Sequence, residues 1–422
     1  MESPSMPRNL KILHTSDWHL GRRLYGKNRY AEFEGFLDWL AELLGREAVD
    51  VLLVAGDIFD TTTPGPRSQA LYYGFLRKAA ALCRHVVIIA GNHDAPALIN
   101  APAAILAALD IHVVGAPGET PEDEVRVLRD SSGEPELIVC AVPFLRDRDV
   151  RVSVPGEQIA DKQQHLVDGI CRHYAEVAAL ARQKRETLGP DLPLVVMGHL
   201  FTAGGKTTDG DGVRELYVGS LARITADIFP EDLDYLALGH LHGAQRVAGS
   251  DIRRYSGSPL AMGFGEANQT KSVFLIEMTG GKTRVSPVDV PVFQTLRSIR
   301  GDWDAIESGI RALSSADSIV WLEITYDGAE VIGDLRERTE AVASGLPVEI
   351  LRIKNTRMVE QVLSRSHVQE TLGDLNPMDV FQRCLAAHKV PDDQQPELML
   401  AYQEILATLE EAGDEPDNNP EP

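Results

Sequence analysis

Five short runs within the first 242 residues carry aspartate, histidine and asparagine, side chains that bind divalent metals. A single run of this kind occurs by chance in many chains, because Asp, Asn and Gly also cap the loops that follow strands. Loop capping does not explain five histidines in such positions. Together the runs supply carboxylate, imidazole and amide ligands for two adjacent divalent ions, and paired ions hydrolyse phosphate esters. The runs are Asp17-Trp18-His19, Gly56-Asp57-Ile58-Phe59-Asp60, Gly91-Asn92-His93-Asp94, Gly198-His199 and Gly239-His240-Leu241-His242.

Each run follows a short aliphatic segment, which predicts a buried strand. These segments cover residues 11–15, 51–55, 86–90, 194–197 and 235–238. The candidate ligands therefore stand where a strand ends and a loop begins. In open α/β sheets the crevice beyond the carboxyl ends of the strands is the place where ligands bind. The adjacent glycines let the backbone pass close to a metal without a Cβ atom in the way.

The elements that must position these residues predict an α/β fold. Residues 31–48, 68–82 and 158–184 have apolar positions at helical spacing and alternate with predicted strands, and residues 251–290 are rich in strands. We expect a β-sandwich flanked by helices over residues 1–290. A proline-containing domain boundary at residues 287–291 precedes a small β-α-β-α-β capping domain over residues 291–357. Residues 358–412 are predicted to be C-terminal helices that bind a partner, and the acidic tail 413–422 is predicted to be disordered.

Composition narrows the functional class. No apolar run is long enough to span a bilayer, the first nine residues do not form a signal peptide, and the four cysteines form no C-x-x-C pair. We therefore expect a cytoplasmic protein. The formal net charge of -22 opposes binding to nucleic acid by this chain alone. If the substrate is a nucleic acid, a partner must supply much of the affinity.

The residues around the runs resemble the calcineurin-like metallophosphoesterase superfamily and, more narrowly, the SbcD branch of bacterial nuclease subunits. The five runs are common to the superfamily, whereas the flanking residues point to the nuclease branch. The flanking matches are LHTSDWHLG at 13–21, GDIFD at 56–60 followed by Thr63-Pro64, MGHLFTAGG at 197–205, YSGSPL at 255–260 and FGE at 264–266.

The resemblance implies a role for each candidate residue. One ion is assigned to Asp17, His19 and His242, the other to Asn92, His199 and His240, and Asp57 bridges both; the implied metal is Mn²⁺. His93 is placed beside the scissile phosphate, where it stabilises the transition state or protonates the leaving oxygen, with Asp94 orienting it. Asp60 is expected to accept a hydrogen bond from a ligand histidine. His14 either supports a ligand in the same way or belongs to the core.

The resemblance also implies a function. It is that of a metal-dependent DNA nuclease subunit that cuts double-strand ends and hairpins in DNA repair, recombination and replication. The implied partner is an SbcC-type coiled-coil ATPase, with the nuclease as a homodimer inside a heterotetramer. Two alternatives remain open from the sequence: a small-molecule phosphodiesterase of the same superfamily, and a non-catalytic scaffold. The basic residues that either contact DNA phosphates or form ordinary solvated surface are Arg22, Arg23, Lys206 and Arg223.

Overall fold

The computed structural model describes residues 9–151, 159–202, 205, 224–330 and 332–355, with single positions at 385, 395 and 399. Its helices are Tyr30–Glu47 (α1), Pro66–Leu82 (α2), Pro96–Asn100 (α3), Ala103–Ala107 (α4), Asp147–Val150 (α5), Ile159–Leu188 (α6), Trp303–Arg311 (α7) and Leu335–Ala343 (α8). Its strands are Asn9–Thr15 (β1), Arg23–Leu24 (β2), Lys27–Asn28 (β3), Val51–Ala55 (β4), His85–Ile89 (β5), Ile111–Val114 (β6), Val125–Arg129 (β7), Pro135–Ala141 (β8), Leu194–His199 (β9), Tyr235–Gly239 (β10), Gln245–Val247 (β11), Ser250–Tyr255 (β12), Ser272–Thr279 (β13), Lys282–Asp289 (β14), Leu296–Gly301 (β15), Val320–Tyr326 (β16) and Val348–Asn355 (β17).

Two six-stranded sheets form the larger part of the molecule. Their strand orders are β14-β13-β1-β4-β5-β6 and β11-β12-β10-β9-β8-β7. The central strands β1, β4, β5 and β6 run parallel, as do β8, β9, β10 and β12. Parallel strands place their carboxyl ends at one edge, so the loops after β1, β4, β5, β9 and β10 gather there.

Residues within each central strand alternate between two buried faces. In β4, Val51 and Leu53 face the second sheet, whereas Leu52 and Val54 face the outer helices. Because both faces are covered, the strand reads as a continuous apolar run instead of an alternating one. The helices α1 and α2 cover the first sheet, and α6 covers the second. The predicted β-sandwich flanked by helices is confirmed.

The small unit that follows is a three-stranded parallel sheet, β15-β16-β17. Ile306 and Ile310 of α7 pack with Leu322 and Ile324 of β16 and exclude water from its core. Asp302 caps α7 by accepting a hydrogen bond from the Ala305 backbone N–H at 3.0 Å. The boundaries 290/291 and 357/358 remain predictions, and the C-terminal helices and acidic tail lie outside the described residues.

A short hairpin, β2–β3, joins the small unit to the larger one. The Tyr25 hydroxyl accepts a hydrogen bond from Arg352 Nη1 at 2.6 Å, and the same ring stacks on Phe264. Lys27 forms an ion pair with Glu349. Leu24 and Phe264 also pack on Leu296 of β15. Since this hairpin begins four residues after His19, the small unit lies beside the edge where the candidate ligands gather. Within the described residues, no helix is long and apolar enough to cross a bilayer.

Candidate metal centre

Backbone hydrogen bonds fix the two loops that carry the first ligands. The Asp17 N–H donates to the Gly56 carbonyl at 2.9 Å, and the His19 N–H donates to the Asp57 carbonyl at 3.0 Å. Trp18 is fully buried and its ring packs edge-on against Phe36 and Phe75, which anchors the loop to α1 and α2. The loop conformation is therefore set by the core before any metal binds.

Four candidate ligands have a positive φ, a conformation uncommon for residues with a Cβ. The values are 53° for Asp17, 48° for His19, 51° for Asp57 and 105° for His240. Each costs on the order of 1–3 kcal/mol and persists only because surrounding packing enforces it. Gly91 meets a related demand, since any Cβ at that position would overlap the Asp57 carboxylate. The surrounding packing therefore stabilises a strained backbone that directs these polar side chains toward one point.

The first group of ligand atoms surrounds His19. Its Nε2 atom lies 3.1 Å from His242 Nε2 and 3.7 Å from Asp57 Oδ2. Asp17, His19 and His242 each offer one ligand atom, and these atoms lie within 4.8 Å of one another. The Asp17 carboxylate also accepts the His240 backbone N–H at 3.0 Å. The structure thus brings together the three residues assigned to one ion, and the assignment itself remains a prediction.

The second group surrounds His199. Its Nε2 atom lies 3.3 Å from the same Asp57 Oδ2 and 3.1 Å from Asn92 Oδ1. The Asn92 oxygen lies 3.0 Å from His240 Nδ1. His199 Nδ1 is 2.8 Å from the Ala55 carbonyl, so Nδ1 carries a proton and Nε2 is the ring nitrogen that faces the ligand group. Asp57 is therefore the side chain common to both groups.

The spacing of these atoms fits bound metal. Two ligands at right angles around an ion with bonds of about 2.1 Å are roughly 3 Å apart. That is close to the separations in both groups. These carboxylate, imidazole and amide groups are therefore the ones that could hold divalent metal.

Burial and mutual charge set the protonation of the cluster. Burial lowers the pKa of His19 to about 4 and that of His240 to about 3, so both imidazoles are neutral at neutral pH and available as ligands. Burial alone also lowers the pKa of His199, but the Asp57 carboxylate outweighs it and raises that pKa to about 9. In turn, His199 holds the pKa of Asp57 well below its usual range despite burial. Without metal, His199 and Asp57 form a buried ion pair.

This ion pair predicts a pH-dependent metal affinity. A metal needs neutral His199, so binding displaces a proton whenever the pH is below about 9. We expect affinity to rise with pH between 6.5 and 8.5, by about tenfold per unit for one displaced proton. Competition with a chelator at three pH values measures this slope. A flat profile would contradict the protonated state assigned to His199.

Two contacts around His93 differ from those expected. The Asp94 carboxylate accepts three backbone N–H groups, from Gly91 at 2.8 Å, Phe59 at 2.9 Å and Ile58 at 3.1 Å. It therefore ties the loop after β4 to the loop after β5 and does not orient His93, which corrects that expectation. The ring nitrogen Nδ1 of His93 instead lies 2.8 Å from the Asp60 backbone carbonyl. The backbone N–H of His93 donates to Asp57 Oδ1 at 2.9 Å.

Asp60 and His14 complete the predicted supporting residues. Asp60 Oδ1 lies 3.4 Å from His19 Nδ1, the ring nitrogen that faces away from the ligand group. His14 is fully buried, and its Nδ1 contacts the Tyr235 hydroxyl at 3.0 Å. Tyr235 is not a candidate ligand. His14 is therefore a core residue and does not support a ligand, as one of the two alternatives had it. The side chain was ambiguous because His14 directly precedes the loop on a buried strand.

The basic residues near the first loop have varied partners. Arg22 Nη1 lies 3.3 Å from Asp60 Oδ1, at the margin of the metal cluster. Arg23 is exposed and donates to the Gly26 carbonyl at 2.7 Å. Arg29 is buried and forms two hydrogen bonds to Glu32, so it is not available to a phosphate. Lys206 and Arg223 lie outside the described residues.

Glu266 supports the centre and was missed as a functional residue. It is buried, and its Oε1 lies 3.6 Å from His242 Nδ1. Although burial opposes ionisation, His242 and Lys271 lower the pKa of Glu266 to about 2. A carboxylate behind an imidazole orients the ring and makes it a stronger ligand. The only sequence signal was its place in the FGE segment, which is distant from every metal run.

Replacing Glu266 with glutamine should weaken metal binding by about 10–100-fold, the usual effect of losing such a support. The isosteric amide removes the carboxylate charge beside His242 while preserving the side-chain volume. Metal titration of the variant and of Glu277→Gln, which lies on the half-buried face of β13, would measure the difference. Equal affinities in wild type and Glu266→Gln would show that His242 needs no carboxylate behind it.

Comparison with known proteins agrees with this centre. The family model described as "Calcineurin-like phosphoesterase" matches residues 10–244, and that described as "Type 5 capsule protein repressor C-terminal domain" (SbcD_C) matches 292–389. The SbcD subunit of the SbcCD nuclease of Escherichia coli K12 is 36% identical over 407 residues, covering 95% of this chain and 98% of the relative.

Relatives of the same description occur in other bacteria. The Rhodobacter capsulatus protein is 37% identical over 67% of this chain and 70% of its own length. The Bacillus subtilis protein is 33% identical over 65% of this chain and 67% of its own length. The Escherichia coli match spans nearly the full length of this chain, and the phosphoesterase model covers more than half of the chain. The chain therefore belongs to the SbcD family of calcineurin-like phosphoesterases and is a metal-dependent phosphodiester hydrolase.

Proposed function

We propose that this chain is the nuclease subunit of an SbcC–SbcD complex, a two-metal DNA phosphodiesterase that cuts double-strand ends and hairpins in DNA repair and recombination. The observation that carries the proposal is the Asp57 carboxylate, whose Oδ2 atom lies 3.3 Å from His199 Nε2 and 3.7 Å from His19 Nε2. A carboxylate shared by two ligand groups holds two cations close together and offsets their repulsion. The relatives named as SbcCD nuclease subunits support DNA as the substrate.

The proposed cofactors are two divalent ions, with Mn²⁺ the metal that the family resemblance implies. Asp17, His19, His242 and Asp57 would hold one, and Asp57, Asn92, His199 and His240 the other. Imidazoles mixed with oxygen ligands favour Mn, Fe or Zn over Mg. When bound, such ions lower the pKa of a water and neutralise charge on the phosphate. Anomalous scattering from crystals soaked in Mn²⁺ tests the count: one peak would leave a single-ion centre.

The chain's own residues then position the reacting groups. The Nδ1–H of His93 donates to the Asp60 carbonyl, which leaves Nε2 for the phosphate or the leaving oxygen. Asp94 holds together the loops that carry Asp57 and His93 through two hydrogen bonds, from the Ile58 and Phe59 backbone N–H groups, and a third bond from Gly91 N–H fixes its own loop. Pre-positioned groups of this kind act without the cost of reorganisation during reaction.

Duplex DNA is proposed to enter beside the β2–β3 hairpin, between the metal centre and the small unit. Arg22, which contacts Asp60 at the margin of the centre, and the exposed Arg23 of the hairpin are proposed to contact phosphates. Lys206 and Arg223 are proposed DNA contacts on sequence grounds alone. The net charge of -22 limits the affinity of this chain for DNA, so the partner is proposed to supply much of it. A cytoplasmic location is consistent with the free cysteines Cys83, Cys140 and Cys171.

The proposed partner is an SbcC-type coiled-coil ATPase, bound by helices within 358–412 and assembled with a dimer of this chain. Removing residues 377–422 should abolish partner binding while leaving hydrolysis of a small diester within about twofold of wild type. Affinity capture with the purified partner, together with the diester assay, measures both. Retained binding would move the interface elsewhere in the chain.

A small-molecule phosphodiesterase remains the alternative, and substrate preference separates the two. The full-length chain, together with the purified partner, is given a duplex DNA and a nitrophenyl diester under the same Mn²⁺ concentration. The proposal predicts that kcat/KM is higher for DNA, because only DNA spans both the centre and the small unit. Efficient turnover of the diester with no DNA cleavage would favour the alternative.

A further inference from the structure

A second cluster of metal-binding side chains lies at the opposite end of the first sheet. His85 opens β5, Asp110 directly precedes β6, and His112 is the second residue of β6. One ligand atom of each lies within 4.8 Å of those of the other two. At roughly 3.3 Å per residue the five-residue strand β5 alone spans about 16 Å. This cluster is therefore distinct from the metal centre, which lies beyond the carboxyl end of the same strand.

The tautomer of His85 is set by a backbone contact. Its Nε2 atom lies 2.7 Å from the Arg129 carbonyl, which can only accept a hydrogen bond, so Nε2 carries the proton. In the neutral ring Nδ1 then presents a lone pair. That atom is buried and has no hydrogen-bond partner among the described residues, in a side chain only 9% exposed. An unpaired buried acceptor of this kind calls for a donor or a cation.

The orientation of His85 is the one seen in metal-ligating histidines, which donate their other ring N–H to a carbonyl or carboxylate. A simple imidazolium–carboxylate pair fits less well. Asp110 Oδ1 lies 3.9 Å from Nδ1, beyond hydrogen-bond distance, and Glu136 is already paired with Arg84 at 2.8 Å. The charged partners of His85 are thus either too distant or occupied.

We propose that His85, Asp110 and His112 bind a divalent transition metal, Zn²⁺ or Co²⁺, separate from the catalytic ions. Two imidazoles and one carboxylate are a common ligand set for such metals, with water completing the coordination. Tetrahedral ligands around an ion with bonds of about 2.1 Å are roughly 3.4 Å apart. The 3.9 Å separation must therefore shorten by about 0.5 Å, and the Asp110 side chain, 66% exposed, is free to make that approach.

The ion would join two neighbouring strands at an exposed border. Strand β6 is the edge of the first sheet and pairs only with β5 in the described sheet order. Ligands on both strands would hold the edge in register. The positive charge of Arg126 lies close enough to His112 to repel a bound cation, so it limits the affinity of this site for metal. The site therefore stabilises the fold and takes no part in the reaction.

Asp110→Asn is the sharpest variant to test the site. Asp110 has a φ of 55°, a conformation that asparagine tolerates well, so the backbone is preserved while the charge is lost. His112→Phe keeps the ring volume and removes both nitrogens. His165→Phe, at an exposed position on α6, is the control. Full-length proteins are dialysed against Zn²⁺ and the bound metal is counted.

Wild type and His165→Phe should each retain one Zn²⁺ more per chain than Asp110→Asn and His112→Phe. The thermal shift caused by Zn²⁺ should fall in the same two variants. Mn²⁺-dependent diester hydrolysis should stay within about twofold of wild type in Asp110→Asn, since the catalytic ligands are untouched. Equal Zn²⁺ counts in wild type and Asp110→Asn would overturn the proposal, even if His112→Phe failed to fold.

Discussion

Replacing Asp57 with asparagine is expected to abolish hydrolysis and release metal. The carboxylate contacts both ligand groups, and asparagine offers one neutral oxygen in its place. Because metal catalysis contributes several kcal/mol, we expect activity to fall by about a thousandfold or more. Asparagine suits the φ of 51°, so the loss reports on charge and not on backbone strain. Metal content and diester hydrolysis are the two measurements.

Thermal unfolding separates loss of metal from loss of fold. A ligand that binds only the folded state raises the melting temperature, so Mn²⁺ should stabilise wild type and leave Asp57→Asn nearly unchanged. Asp251→Asn, an exposed position on β12, is a suitable control and should respond like wild type. Unchanged metal content in Asp57→Asn would show that this residue is not the shared ligand.

Replacing His93 with alanine is expected to leave metal binding intact and reduce hydrolysis by about 100- to 10,000-fold, the range for a lost general acid. The side chain is half-buried, and its Nδ1 is engaged by the Asp60 carbonyl. Its removal therefore leaves the proposed metal ligands in place. Metal counting beside single-turnover cleavage would measure the two effects independently.

The choice of leaving group distinguishes the two roles proposed for His93. If His93 protonates the leaving oxygen, the variant should lose most activity on DNA, whose alkoxide needs a proton. It should lose much less on a nitrophenyl diester, whose leaving group is stable as an anion. Equal losses on both substrates would favour transition-state stabilisation. Full activity on DNA would remove His93 from the mechanism.

Much of the fold, and the place where the metal-binding side chains gather, could be predicted from local sequence patterns. Buried parallel strands read as unbroken aliphatic runs, and polar residues after such strands converge at one sheet edge. That reasoning alone anticipated that Asp17, Asp57 and Asn92 would meet. Side chains from β9 and β10 join them because those strands end at the same side of the sandwich. The division into individual ions rested on family resemblance and remains a proposal.

Contacts between distant segments could not be derived from local patterns. Glu266 reaches His242 from a short turn before β13, and nothing in its neighbourhood predicts that approach. Asp94 follows His93 directly, which suggested that it orients that ring. Backbone N–H groups from another loop donate hydrogen bonds to the Asp94 carboxylate instead. Strand lengths in the β2–β3 hairpin are two residues each, too short for any periodicity to show.

The most direct test is Mn²⁺-dependent cleavage of a hairpin-ended DNA duplex by the purified full-length chain, with and without an SbcC-type ATPase. The account predicts cleavage that the partner enhances strongly and that Asp57→Asn eliminates under both conditions. Absence of hairpin cleavage with partner and Mn²⁺ present, while the chain still hydrolyses a small diester, would contradict the assignment as a DNA nuclease subunit.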